Sequence, residues 1–415
     1  LNQKKRWLTS FAVEKRLLPS QPTIARHEDN RMPNDSGRRQ FLISSGTLAA
    51  FAMMPQLLRA AGAGAASTDP TQHWARYRNA MVIDSCASPG RASPETHALD
   101  AGELADIRAS GVTAMNFTVG SVGSYTNDYA ETVQNIAHWD NEIAAHPDLL
   151  IKVTRGAELA EAKRSGRLGI IYGFQDTTMY GENMDRFDLF HDFGVRIVQL
   201  TYNRRNLMGD GCLEPGNAGL SKLGMEMIAR MNQRGSLVDL SHCGQRTTRE
   251  GILASKQPIA ITHSGCDALA NMPRNKHDEE LRLLAEHGGV IGIYIMPYLR
   301  NSGQVMAEDV ISHIEYALKI CGEDHVGIGT DGTTSAVNLT PEFKKQFADE
   351  IAERQKRGIS APGERADSYT FAPDLNAPLR FERIAQMLSQ RGHPDARIEK
   401  ILGGNFARLF NEVIV

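Results

Sequence analysis

Along most of this chain, short β-branched apolar runs alternate with longer segments whose apolar residues recur at helical spacing. Eight such runs occupy residues 81–84, 112–119, 168–174, 195–201, 237–241, 259–262, 290–295 and 325–329. Nearly continuous apolar runs belong to strands buried on both faces, as in a parallel sheet covered by helices. The stretches between them supply the helices. Residues 223–233 carry apolar positions at helical period and stop at Gly235, and residues 278–287 repeat the pattern before Gly288-Gly289. A doubly wound open sheet would give similar local signals, but eight strand–helix units favour closure into a (β/α)8 TIM barrel of the α/β class. The longest interruption, residues 120–167, follows the second run and is predicted to hold helices, one of them over 129–145. After Asp331 a polar, proline-punctuated loop runs to about Pro378. Two extra C-terminal helices, over 379–391 and 396–412, are expected to pack on the outside of the barrel. Residues 66–415 thus read as a single domain.

Upstream of residue 66 the pattern changes. Gly37-Arg38-Arg39-Gln40-Phe41-Leu42 leads into an apolar run over 41–58, and small residues follow at 60–66. That order predicts a twin-arginine signal peptide over 32–65, with Met32 as its start, cleavage near Ala63 or Ala65, and residues 1–31 an upstream extension. An amphipathic N-terminal helix is the alternative. An export signal implies a periplasmic protein, carried by the twin-arginine export machinery and left with no membrane span after cleavage. The whole chain has a formal charge of −3, while residues 1–63 hold ten Lys/Arg against four Asp/Glu, so the remainder is more acidic. No basic stripe with interleaved aromatics is present, which argues against nucleic acid as a partner and for a small molecule. The five cysteines, Cys86, Cys212, Cys243, Cys266 and Cys321, have no C-x-x-C spacing and are odd in number, so at least one is unpaired or pairs between chains.

Three strand ends carry the candidate chemistry. His242 closes LVDLSH, His263 closes the run in IAITHS, and Asp331 closes HVGIGTD. In a (β/α)8 barrel, catalytic groups project from the C-terminal ends of strands, so two histidines and an aspartate recurring there predict a metal site on the barrel rim. Neutral imidazole is a good zinc ligand, and two from neighbouring strands converge readily on one ion. Each histidine alone would read as a hydrogen-bonded structural residue; the recurrence favours a site.

The stretches VDLSH, ITHS, MPRNKHDEEL (272–281), HVGIGTD and ILGGNFARLF (401–410) resemble the membrane dipeptidase (renal dipeptidase) family of zinc peptidases, from about Met81 to the C-terminus. The resemblance implies a TIM barrel of the metal-dependent hydrolase type, zinc as cofactor and a dipeptide-like substrate. It also implies His242 and His263 as metal ligands, Asp331 as the proton-handling group, Arg274 as the holder of the substrate α-carboxylate, and a homodimer as a possible assembly. A planar guanidinium suits a carboxylate because its fork pairs bidentately. The chain departs from the family in three ligand positions. Cys86 and Ser88 stand in Asp84-Ser85-Cys86-Ala87-Ser88 where the family has a His-x-Asp pair, and Gln175 stands where it has a bridging Glu. Tyr202 replaces a histidine after the fourth strand and is a candidate both for substrate contact and for oxyanion stabilisation; a Tyr packed under its loop is the alternative. Ser and Gln are poor zinc ligands, so one ion at most is expected rather than two. Cys86 as a further ligand, or as a buried structural thiol, stays open, as does ligation by Asp84 or Asp176.

Three functions fit these residues. The first is an exported metal-dependent hydrolase of a dipeptide or related amide with a free carboxylate. The second is a non-hydrolytic binding or maturation protein on the same scaffold, and the third a mononuclear amidase or lactonase.

Overall fold

A computed structural model describes residues 74–92, 98–123, 128–356 and 360–415. The predicted signal peptide and upstream extension lie outside the described residues. All eight expected strands form: β1 (Ile83–Asp84), β2 (Ala114–Thr118), β3 (Leu168–Phe174), β4 (Val195–Gln199), β5 (Leu237–Asp239), β6 (Ala260–Ser264), β7 (Val290–Ile293) and β8 (Val326–Ile328). They pair in parallel in chain order. Between β8 and β1 the ring is drawn shut by the Ser85 amide, which donates to the Ile328 carbonyl at 3.0 Å. A short strand pair, Ala87–Ser88 with Gly332–Thr333, continues this seam above the barrel. No helix among the described residues is long and apolar enough to cross a membrane.

Alternate residues of a strand face the same side, so the barrel interior is built in layers. The lowest layer is apolar: Ile83, Ala114, Ile171, Ile197, Leu237, Ala260 and Val290 form one cluster. Two residues further along each strand the layer is small or polar. Ser85 Oγ lies 2.6 Å from the Thr262 carbonyl and 2.9 Å from that of Ile328, and Asn116 Nδ2 donates to the Ser85 carbonyl. Glycine is required here by close approach. A Cβ on Gly173 would sit 2.1 Å from Asn116 Oδ1, and one on Gly292 would sit 2.1 Å from the Thr262 carbonyl oxygen. The third layer carries the site.

Helices follow the sequence pattern closely. Lys222–Arg234 is capped by the Ser221 side chain and ends at Gly235 with φ 65°, and Tyr129–Ala145 spans the predicted range. Two expectations for the C-terminal region need correction. The helix Asn405–Val413 does not lie on the barrel's flank, because Phe406, Leu409, Phe410 and Val413 cluster with the lowest interior layer and plug that end. Its apolar stripe meets the ring of strand starts, where Val153 and Leu159 join the same cluster. The polar loop after Asp331 also contains a helix, Pro341–Lys356, whose Phe343, Phe347 and Ile351 pack on Val337, Leu339, Tyr369 and Phe371.

This helix is fastened to the segment that follows it, and through Glu364 to Tyr298, by a buried ion pair. Arg354 Nε and Nη2 donate to Glu364 at 2.7 and 2.9 Å, and Glu364 also accepts from the Tyr298 hydroxyl and the Ala361 amide. Both charged side chains are nearly solvent-free. Removing one partner strands a buried charge, so Arg354→Ala should cost about 3–5 kcal/mol in denaturant unfolding, with Arg354→Ala/Glu364→Gln recovering part of it. Equal loss in the single and double variants would show that the pair is not what fastens this segment.

Candidate metal centre

His242 and His263 meet at the mouth of the barrel, with their Nε2 atoms 2.9 Å apart. The partners of their other nitrogens define both tautomers. Thr262 donates its hydroxyl proton to Asp239 Oδ2 at 2.6 Å, so its oxygen accepts from His263 Nδ1–H at 2.8 Å. Asn203 Oδ1 lies 2.7 Å from His242 Nδ1 and accepts from it. Burial, reinforced by the positive charge of Arg274, pushes both imidazoles well below the usual histidine range, so both are neutral. Each Nε2 therefore presents a lone pair to the other, a repulsive contact that a cation between them relieves.

These residues fit a metal ion. Two imidazole nitrogens about 2.0–2.1 Å from a tetrahedral zinc are roughly 3.3 Å apart, so the rings need separate by only a few tenths of an ångström. His263 also forms a buried group with Cys86 and Asp331, one donor atom of each lying within 4.8 Å of the others. The carboxylate–hydroxyl–imidazole chain from Asp239 through Thr262 is the orienting outer contact that metal-ligating histidines need. Sequence inspection did not single out Asp239, Thr262 or Asn203. The signal was present in Asp239, a carboxylate inside an otherwise apolar strand.

Asp331 occupies left-handed backbone, φ 55°, unusual for a residue other than glycine. Its amide donates to the Cys86 carbonyl at 2.8 Å, which ties the ends of β1 and β8 together at the site. Burial raises its carboxyl to about 7, partly offset by Arg274. Cys86 Sγ lies 3.8 Å from Asp331 Oδ1 and accepts from Gln175 Nε2 at 3.3 Å. Burial, with the carboxylates of Asp331 and Asp239 nearby, pushes this thiol well up.

The other candidates are placed as follows. Tyr202 is buried and stacks on His242, ring centroids 4.1 Å apart, so it lies beside the histidine pair. Arg274 is fully buried; its guanidinium donates to the carbonyls of Ser241 at 2.8 Å and His263 at 3.4 Å and lies 5.6 Å from the Tyr294 ring. No carboxylate among the described residues forms an ion pair with it. Ser88 donates its hydroxyl to the Gly90 carbonyl. Asp84 is committed to Thr330, whose amide and hydroxyl it accepts at 2.8 and 2.7 Å, and to the Cys86 amide. Asp176 accepts from Asn206 Nδ2 and the Thr177 amide through one oxygen.

A parallel barrel with histidine and carboxylate side chains at the C-terminal strand ends defines the class of metal-dependent hydrolase-type barrels. Residues 91–362 match the profile of the membrane dipeptidase family, peptidase family M19, and the chain belongs to that zinc-dependent family. It is 30% identical over 233 residues to dipeptidase verJ of Clonostachys rogersoniana, covering 55% of this chain and 60% of that one. It is likewise 30% identical over 239 residues to dipeptidase aclJ of Aspergillus oryzae, covering 55% and 56%. The chain thus spans a little over half the length of these relatives. Among solved structures, an amidohydrolase from Pseudomonas aeruginosa shares 33% identity with a TM-score of 0.69, over 81% of this chain and 97% of that one. A metallopeptidase from Rhodobacter sphaeroides, solved with a phosphinate mimic of L-Ala-D-Ala, shares the fold at 17% identity and TM-score 0.64, over 80% and 99%. Cys86 and Ser88 lie just upstream of the matched residues; His242, His263, Arg274, Gln175, Tyr202 and Asp331 lie within them.

Proposed function

We propose that this chain is a mononuclear metallohydrolase that cleaves a dipeptide or a related amide bearing a free carboxylate. The observation that carries this reading is the pair of neutral imidazoles whose lone pairs face each other at 2.9 Å, one of which, His263, shares a buried donor group with the Asp331 carboxyl, raised to about 7 by burial. His242 and His263 would hold a zinc ion, which when bound would supply Lewis acidity and activate water for attack. Arg274 receives the substrate carboxylate: its buried guanidinium donates to the carbonyls of Ser241 and His263 and forms no ion pair with a carboxylate among the described residues, and its planar fork suits a carboxylate. Asp331 takes the proton of the attacking water and returns it to the amide nitrogen as the C–N bond breaks; a carboxyl near 7 is suited to both halves of that transfer. Tyr202 donates a hydrogen bond to the oxygen that becomes negative. The replacements at Cys86, Ser88 and Gln175 exclude the second ion of the wider family on this reading.

Those same replacements favour a second reading, a binding or maturation protein that has kept the carboxylate pocket and lost turnover. The zinc-supplemented full chain, assayed against dipeptides, dehydropeptides and lactams, separates the two. Hydrolysis of any member of the panel with micromolar to millimolar KM supports the first. Carboxylate binding without turnover across the whole panel would discard it for the second. We also propose export by the twin-arginine machinery to the periplasm, on the Arg38-Arg39 motif and the apolar run that follows. Cell fractionation with Arg38→Lys/Arg39→Lys should leave the chain in the cytoplasm, and an unchanged distribution would reject the route.

A further inference from the structure

We infer that Cys86 is a thiolate ligand of the same ion, reaching it beside His263, the histidine with which it shares a buried donor group, so that this chain carries a sulfur-containing centre in place of a second metal; this rests on the single-ion reading above. Of the donor side chains around the end of β1, Asp84 is held by Thr330 and the Cys86 amide, and Ser88 is bonded to the Gly90 carbonyl. Cys86 alone of these three joins His263 and Asp331 within 4.8 Å. The facing Nε2 atoms of His242 and His263 independently mark where the cation sits.

Gln175 makes sense of the exchange. Its amide nitrogen donates to Cys86 Sγ at 3.3 Å and lies 3.1 Å from Thr118 Oγ1, which fixes its direction. A glutamate there would place a carboxylate against a thiolate, whereas an amide N–H stabilises the sulfur's negative charge. The replacements at 86 and 175 therefore form one unit: a soft anionic ligand has come in, and the anionic bridge beside it has gone. When the ion binds, the S–H bond breaks, the proton leaves to solvent, and the thiolate electron pair forms the metal–sulfur bond. Thiolate also favours zinc over harder divalent ions.

The test is anaerobic cobalt(II) titration of the reduced full chain, followed by absorption. The expected result is one cobalt per chain with a near-ultraviolet thiolate-to-cobalt charge-transfer band. That band should vanish in Cys86→Ser and Cys86→His, while the visible ligand-field bands of histidine-bound cobalt persist. Cys86→His supplies a bulky imidazole donor should the serine variant fail to fold. Gln175→Leu, which removes the amide donor to the sulfur, should lower cobalt affinity about 10- to 100-fold, as loss of an outer-shell partner does. A wild-type spectrum with ligand-field bands but no charge-transfer band would overturn the thiolate assignment and leave the His242/His263 site standing. A charge-transfer band that survives Cys86→Ser would overturn it in favour of another cysteine. Absence of cobalt uptake would overturn this assignment and the metallohydrolase reading together.

Discussion

His263→Ala is expected to yield a folded barrel that takes up no zinc at micromolar concentration and hydrolyses substrate at about one-thousandth of the parental rate or less, a loss of roughly 4 kcal/mol of transition-state stabilisation. His263 is the shared member of the site: its Nε2 faces that of His242, and it groups with Cys86 and Asp331. Thr262→Val should have a smaller effect of the same sign. It keeps the ring and deletes the hydroxyl that passes the influence of Asp239 to Nδ1, so metal affinity should fall about 10- to 100-fold. Metal analysis of both purified variants checks the order. A His263→Ala protein with full zinc content would remove this histidine from the centre.

The second large effect concerns Arg274. Arg274→Met preserves volume while removing the buried charge, and should raise KM for a carboxylate-terminated substrate about 100-fold or more, roughly 3 kcal/mol. The same substrate with a terminal carboxamide should bind the parent and the variant alike, because it offers the guanidinium no charge to neutralise. Measuring the four combinations isolates the coupling between guanidinium and carboxylate from any repacking around Ser241 and Tyr294. If the carboxamide suffers as much as the carboxylate, Arg274 supports the fold at β5 and β6 and does not receive substrate.

The strands and most helices were legible because their signals are local. A run such as LGIIYGF is apolar on both faces, and the 222–234 helix has its serine cap and its glycine stop in sequence. The rim histidines were legible because strand ends are where such folds place chemistry. What stayed hidden depended on partners far away in the chain. Asn405–Val413 has the stripe of any amphipathic helix, and only the assembled ring of strand starts shows that it plugs the barrel's end. Pro341–Lys356 was obscured because only three of its apolar residues face inward, onto a small cluster drawn from the same segment. The pairing of Cys86 with Gln175 joins residues 89 positions apart and became visible only when β1 and β3 stood in one barrel.

The seam between the first and eighth strands sets the order in which this site comes into being. The Ser85 amide, the Asp84 carboxylate and the Cys86 carbonyl all find their partners at Ile328, Thr330 and Asp331, about 245 residues later. A growing chain can lay down seven strands, and even bring His242 against His263, while Asp331 is still unmade and Cys86 lacks the loop that holds it. Such contacts between chain ends are slow to form. The centre is therefore complete only once residue 331 has joined the barrel, and a chain cut short of it would be a barrel with an unzipped side and an incomplete centre.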